Sequence, residues 1–303
     1  MSGPRAVGID VGGTRIKAVL MTGSGDVLEA TVRPTPARPG PELGTIAGEL
    51  RAELEAATGH SADALAVVVP GLFEDRAGIA RWSANLGWRD LALTELLAGS
   101  LDIPVASGHD VRAGLLAEHR FGAAREVDDV LFLPLGTGIA SAHMTGGVVT
   151  AGSPWTGEVG HVVIRPDGRE CGCGARGCLE AEASAAALGR IWSEVEGEPR
   201  DAEDLAVAVR AGDDRAKGVW SEAVDALALV LSPAVAAAGT RLVLLGGGLA
   251  LAGDLLADPL HRALSARLPG RSELSVRVAE LGDRAGALGA ACLALDLLTE
   301  VES

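Results

Sequence analysis

Apolar residues near the N-terminus fall into short continuous runs separated by small polar turns, the pattern of buried strands. Ala6-Val7-Gly8-Ile9-Asp10 reads as one such strand, Val11-Gly12-Gly13-Thr14 as a turn, Ile16 to Met21 as a second strand and Val27 to Val32 as a third. The period then changes. Over Pro41 to Thr58, Leu43, Ile46, Ala47, Leu50 and Leu54 share one face at helical spacing, and Gly59 is a suitable stop. Leu65 to Val69 is again a continuous apolar strand, ending in Pro70-Gly71. The opening recurs about 120 residues later: Val130 to Pro134, a small-residue turn Leu135-Gly136-Thr137-Gly138, then Ile139 to Met144. This is the form of two related halves facing a cleft. A third strand-to-glycine junction, Leu242 to Leu245 followed by Gly246-Gly247-Gly248, and an apolar helical stretch from Ala285 to Leu298 complete the frame. The charged segment Glu194 to Arg215 reads as solvated helix and loop.

Composition narrows the classes. A chain of 303 residues is long for one core, so two domains are expected. Lys and Arg total 26 against 41 Asp and Glu, a net charge of −15, which repels nucleic-acid backbones and anionic membrane surfaces. The longest apolar run, Ala223 to Ala238, is interrupted by Asp225 and Ser232-Pro233 and reads as too short and broken to span a bilayer. The N-terminal stretch has no apolar core of a signal peptide.

Three of the four cysteines lie within eight residues: Cys171, Cys173 and Cys178, with His161 ten residues upstream of the first. Three thiolates and an imidazole are the ligand set of a closed tetrahedral structural zinc site, and Gly172, Gly174 and Gly177 permit the tight turns that bring them together. Zinc thiolates imply a reducing compartment, hence the cytoplasm. Cys292, in the apolar C-terminal helix, reads as a buried small hydrophobe. Asp10 with Gly12, Gly13 and Thr14 has the character of a phosphate loop: glycines admit the phosphates to backbone N–H groups, Thr14 adds a hydroxyl, and Asp10 can hold Mg²⁺ through water. The same residues also suit an ordinary hairpin. Neither the Gly-Lys-Ser/Thr ending of a P-loop nor the helix that follows a dinucleotide fingerprint is present. Gly136-Thr137-Gly138 supplies a second such loop, and Gly246, Gly247 and Gly248 a flat surface for adenosine. Asp110 ends the apolar stretch from Ile103, as expected of a strand-end carboxylate facing a cleft.

Gly157-Glu158-Val159-Gly160-His161, then Cys171-Gly172-Cys173-Gly174 and Gly177-Cys178-Leu179-Glu180, resembles the signature of the ROK family of sugar kinases and sugar-responsive repressors. The resemblance runs from Val7 to about Leu298. It implies an α/β chain of the actin-like ATPase (ribonuclease H-like) fold, two lobes with a duplicated mixed-sheet core. The smaller N-terminal lobe spans 1–118, rejoined by the C-terminal helix 285–303. The larger lobe spans 119–284 and carries the zinc loop 157–180. It further implies zinc on His161, Cys171, Cys173 and Cys178, and sugar hydroxyls on Glu158, His161, Glu180, Asn85, His109 and Asp110, with the backbone at Gly71 close by. Asp110 takes the place of the catalytic base, and Asp10 with the loops at 12–14, 136–138 and 246–248 that of the ATP and Mg²⁺ site. The implied activity is transfer of the γ-phosphate of ATP to the 6-hydroxyl of a hexose, by a homodimer.

Three departures from the family pattern bear on the substrate. Gly108-His109-Asp110 stands where glucokinases of the family usually show Glu-Asn-Asp, Ala140-Ser141 follows the second loop where more glycines are common, and Ser153-Pro154-Trp155 precedes Glu158. Glucose leads, with an amino-hexose such as kanosamine, glucosamine or an N-acetylated sugar as the alternative, since three carboxylates tolerate an ammonium. The rival function is a non-enzymatic sugar sensor. Repressors of the family carry a helix-turn-helix segment before the first phosphate motif, and here seven residues precede Gly8. That spacing, with Asp10 and Asp110 both in place, leads to the expectation of a kinase.

Overall fold

The computed structural model describes residues 3–83 and 86–300 and divides into two compact units. The first comprises 1–122, Ala151–Thr156 and 283–303; the second comprises Ala123–Thr150 and Gly157–Gly282.

In the first unit, β1 (Arg5–Val11), β2 (Arg15–Thr22) and β3 (Val27–Pro34) form an antiparallel meander. Helix α1 (Leu43–Thr58) follows and ends on Gly59 in the left-handed conformation (φ 68°). β4 (Ala64–Val69) pairs parallel to β1, and a small sheet of β5 (Leu72–Glu74), β6 (Ile79–Ser83) and β7 (Trp88–Ala92) leads into α2 (Leu93–Ser100). β8 (Val105–His109) pairs parallel to β4, and α3 (Asp110–Phe121) starts at once. The main sheet has the order β3-β2-β1-β4-β8.

The second unit repeats this order. β9 (Val130–Pro134), β10 (Ala142–Thr145) and β11 (Val148–Val149) are the antiparallel meander. Helices α4 (Leu179–Ala183), α5 (Ala185–Glu196), α6 (Ala202–Ala211) and α7 (Asp214–Ala238) precede β12 (Leu242–Gly246), which lies parallel to β9. After α8 (Asp254–Arg267), β13 (Ser275–Val278) completes β11-β10-β9-β12-β13. In both sheets an antiparallel meander is extended by two parallel strands, so the weak repeat in the sequence is a repeat of topology.

Helix α9 (Ala285–Glu300) returns to the first unit. It lies so close that a Cβ at Gly8 of β1 would stand 2.1 Å from the Ala287 carbonyl oxygen, and one at Gly289 would stand 1.9 Å from that of Ala113. Two glycines, one on the strand and one on the helix, therefore set this packing. Cys292 is fully buried here, as its apolar setting predicts.

Two sequence expectations change. The run Ala223 to Ala238 is not broken: α7 continues through Asp225, Ser232 and Pro233 as one helix of 25 residues, long and apolar enough by composition to cross a bilayer. Pro233 removes the donor to the Leu229 carbonyl, but Leu229 is exposed and water can satisfy it. The inner side of α7, with Trp220, Leu227, Leu231 and Val235, belongs to the second unit's hydrophobic core. The second strand of the repeat begins at Ala142 rather than Ile139, because the backbone of 139–141 finds partners elsewhere.

Candidate active site and metal centre

In the first unit the turn between β1 and β2 is drawn tight. Gly12 N donates to the Arg15 carbonyl (3.0 Å), Thr35 Oγ1 donates to the Gly12 carbonyl (2.7 Å), and Gly13 and Thr14 are left exposed. Asp10 stands at the inner end of β1. Burial first, then the charge of Asp110, raise its pKa from 3.8 to about 7, while Lys17 acts in the opposite direction. A carboxylate in that state gains from a cation, which fits a magnesium–nucleotide site. Lys17, paired across the hairpin from Asp10, is itself engaged by the Asp283 carboxylate at 3.1 Å.

Asp110 is the first residue of α3. Its Oδ1 accepts from its neighbour Val111 N at 2.7 Å, and the Nδ1 of His109 accepts from the same N–H at 3.2 Å. His109 is thus the N-cap, and this hydrogen-bond assignment puts its ring proton on Nε2. Burial lowers the His109 pKa, so the ring is neutral beside Asp110. Gly71 has φ 97°, and a Cβ there would meet the Trp82 carbonyl oxygen at 2.4 Å, so only glycine fits. Asn85 lies outside the described residues.

Sequence reading passed over Arg112. It projects from α3 two residues beyond Asp110, is 5% exposed, and ties three distant segments together. It donates to the Phe73 carbonyl (3.1 Å) and the Thr156 carbonyl (3.2 Å), and pairs with Asp75 at 2.9 Å. Its place just after the candidate base was the signal available; its partners lie 37 to 44 positions away and could not be read.

In the second unit, loop Gly136-Thr137-Gly138 and the segment Gly157 to Glu180 pack together. Ser141 N donates to the Gly157 carbonyl (2.7 Å), and Ile139 N donates to Glu180 Oε2 (3.0 Å). Gly246 accepts from Leu135 N (2.8 Å), and Leu249 N donates to the Leu135 carbonyl (3.0 Å), which brings the 246–248 glycines against the same loop. Glu158 Oε2 lies 3.8 Å from His161 Nε2, and the other ring nitrogen, Nδ1, lies 3.6 Å from Cys171 Sγ.

The ligand atoms of His161, Cys171, Cys173 and Cys178 all lie within 4.8 Å of one another. Cys173 and Cys178 sulfurs are 3.7 Å apart. A tetrahedral ion with Zn–S bonds of about 2.3 Å requires sulfurs about 3.8 Å apart, so the donor set and its spacing fit zinc. Burial, then the neighbouring thiols, push Cys178 up to about 12. A buried thiolate there needs a cation to exist, and a metal supplies one. A residue absent from the sequence reading, Glu182, braces this loop from α4. Its side chain is 4% exposed, accepts from Arg169 N (3.0 Å) and pairs with the Arg169 guanidinium (3.0 Å).

Two sheets of one strand order, each opening with a strand–small-turn–strand hairpin, define an α/β protein of the actin-like ATPase fold. Among such proteins the chain belongs to the ROK family, whose model matches residues 6–297. A glucokinase from Thermotoga maritima is 34% identical over 95% of this chain and 96% of its own length. An N-acetylmannosamine kinase from Escherichia fergusonii is 30% identical over 94% and 97%. Among solved structures, a ROK hexokinase from Thermus thermophilus superposes with a TM-score of 0.85 at 33% identity, covering 98% of this chain and 99% of the other. A ROK family glucokinase from Streptomyces griseus, in complex with glucose and AMPPNP, does so with a TM-score of 0.82 at 27% identity, covering 96% and 99%.

Proposed function

We propose that this chain transfers the γ-phosphate of ATP to the 6-hydroxyl of a hexose, with Asp110 as general base. The broader statement is that it is an ATP-dependent sugar kinase. Phosphoryl transfer asks the protein for positioning, charge neutralisation and a proton acceptor. Asp110 meets the last need. Its Oδ1 is occupied by the N–H of Val111, the second residue of its own helix, which fixes the carboxylate, and its side chain keeps 27% exposure. That placement is the observation on which the reading rests. As the sugar oxygen attacks the γ-phosphorus, Asp110 takes the hydroxyl proton. Loops 12–14 and 136–138 hold the phosphates, with Asp10 directed to Mg²⁺, which offsets phosphate charge when bound. Glu158, His161, Glu180 and His109 orient the sugar, together with Asn85 and the backbone at Gly71. All four zinc ligands come from the protein, so the metal acts as a clamp on the loop 157–180. These thiolates favour the reducing cytoplasm.

A second reading keeps the chemistry and changes the sugar. His109 replaces the family asparagine with a larger ring whose Nδ1 accepts from Val111 N, a shape and bonding pattern different from those of an amide. The carboxylates assigned to the sugar, Asp110, Glu158 and Glu180, would suit the ammonium of an amino-hexose. A coupled assay across glucose, mannose, glucosamine, kanosamine, N-acetylglucosamine and N-acetylmannosamine separates the two. Asp110→Asn should bind its sugar and lose about 10²–10⁴ in turnover. Parent-like turnover in that variant would remove Asp110 as the base.

A further inference from the structure

We propose that Glu180 is a positioning residue for the phosphate loop 136–138, and that through it metal loading and nucleotide binding are linked. The inference rests on the reading that this loop holds phosphate and the Cys–His cluster holds zinc. It goes beyond the sugar-binding role given to Glu180 above.

The carboxylate lies between the two elements. Oε2 accepts from Ile139 N at 3.0 Å, and Oε1 lies 3.9 Å from the sulfur of Cys171. A Cβ at Gly138 would meet Oε2 at 2.5 Å, so the glycine in the loop is the condition for the carboxylate to lie against it. The same contact is continued by backbone. A Cβ at Gly160 would stand 2.0 Å from the Ile139 carbonyl oxygen, and one at Gly157 would stand 2.0 Å from that of Ser141. The strand that the sequence pattern predicts over 139–141 does not form because its main-chain groups bond to this segment. The beginning of the metal loop is therefore the backing of the phosphate loop.

Gly136 and Gly138 give the phosphate loop close approach to a ligand, and also much freedom to lose on binding. A loop held before the nucleotide arrives binds it more tightly. The helix that carries Glu180 starts directly after Cys178, so a metal that fixes this cysteine also fixes the acceptor on Ile139 N. Linkage then requires reciprocity: if metal strengthens nucleotide binding by some factor, nucleotide strengthens metal binding by the same factor.

The test uses the full chain without sugar, with Mg·AMPPNP as calorimetric probe and zinc content measured on each sample. Glu180→Met keeps length and removes the acceptor; the expected nucleotide Kd is at least about tenfold weaker, the scale of a lost hydrogen bond to a charged acceptor. Glu180→Gln retains an oxygen for Ile139 N and should stay within about threefold of the parent, even where it raises the sugar KM. The zinc-stripped parent and Cys173→Ser should match the loss of Glu180→Met, and saturating AMPPNP should tighten zinc retention against a chelator by that factor in the parent. If Glu180→Met does not fold, the zinc-stripped parent and Cys173→Ser decide. Parent-like nucleotide Kd in Glu180→Met or in zinc-free protein overturns the inference and leaves the kinase reading intact. A parent that binds no nucleotide overturns both.

Discussion

Replacing Asp10 by asparagine should stabilise the nucleotide-free protein at alkaline pH while abolishing its response to magnesium nucleotide. Asp10 is partly buried between its own strand and α9, where a Cβ at Gly286 would meet its Oδ2 at 2.6 Å. Its pKa stands at about 7 against an ordinary 3.8, chiefly through burial. Between those values the native state holds the proton and the unfolded chain releases it, so stability falls as pH rises through the window and the loss is complete above about pH 7. The full displacement corresponds to about 4 kcal/mol. Asparagine avoids the buried charge but still desolvates an amide, which leaves a net gain of about 2 kcal/mol. At roughly 2–4 °C per kcal/mol for chains of this size, Tm should rise by about 4–8 °C at pH 8. At pH 5 the parent's Asp10 is protonated in the native state and the gain should vanish. Scanning calorimetry of both proteins at pH 5 and pH 8, with and without Mg·AMPPNP, measures each term. A variant no more stable than the parent at pH 8, with the same pH dependence, would show that the carboxylate is not held against burial, and the argument for a cation at this position would fall with it.

Gly289→Ala should destabilise the first unit by about 3 kcal/mol or more, since the new methyl would meet backbone of Ala113 rather than a movable side chain; chemical denaturation measures it. Arg112→Met should cost about 3 kcal/mol, at the lower end for a broken buried pair because Asp75 keeps a third of its side chain in water, and the companion Asp75→Asn should show strong non-additivity in a double-mutant cycle. Cys173→Ser, or chelation with zinc loss verified, should raise the sugar KM before it unfolds the protein; an unchanged KM in zinc-free protein would end the clamp role.

Much of the site was legible in the chain because its chemistry is local. The cysteines sit within eight residues, so glycine turns alone can gather them, and the one distant ligand, His161, is brought in by a loop of nine intervening residues. The first hairpin forms from neighbours in sequence, and its two strands, Arg5–Val11 and Arg15–Thr22, lie where the pattern predicts strands. The second hairpin carries the same signal, but its outgoing strand starts three residues late. Local preference at Ile139 to Ser141 yields there to partners at Gly157 and Glu180, far along the chain. The run through α7 shows the converse: residues that read as interruptions are tolerated because the helix turns its apolar side to a core and the carbonyl freed by Pro233 to water.

From its residues alone this protein declared a duplicated α/β frame, a Cys–His cluster of metal-ligand type and candidate carboxylates for phosphoryl transfer, since each depends on spacing within a strand, a turn or a short loop. Tertiary structure alone decided that Arg112 joins α3 to Phe73, Asp75 and Thr156, that α9 lies on Gly8 of β1 and faces α3 through Gly289, and that Glu180 rests on the loop 136–138. Those contacts join segments separated by tens to hundreds of residues, and they are set by the fit of side chain against backbone, which no periodicity along the chain records.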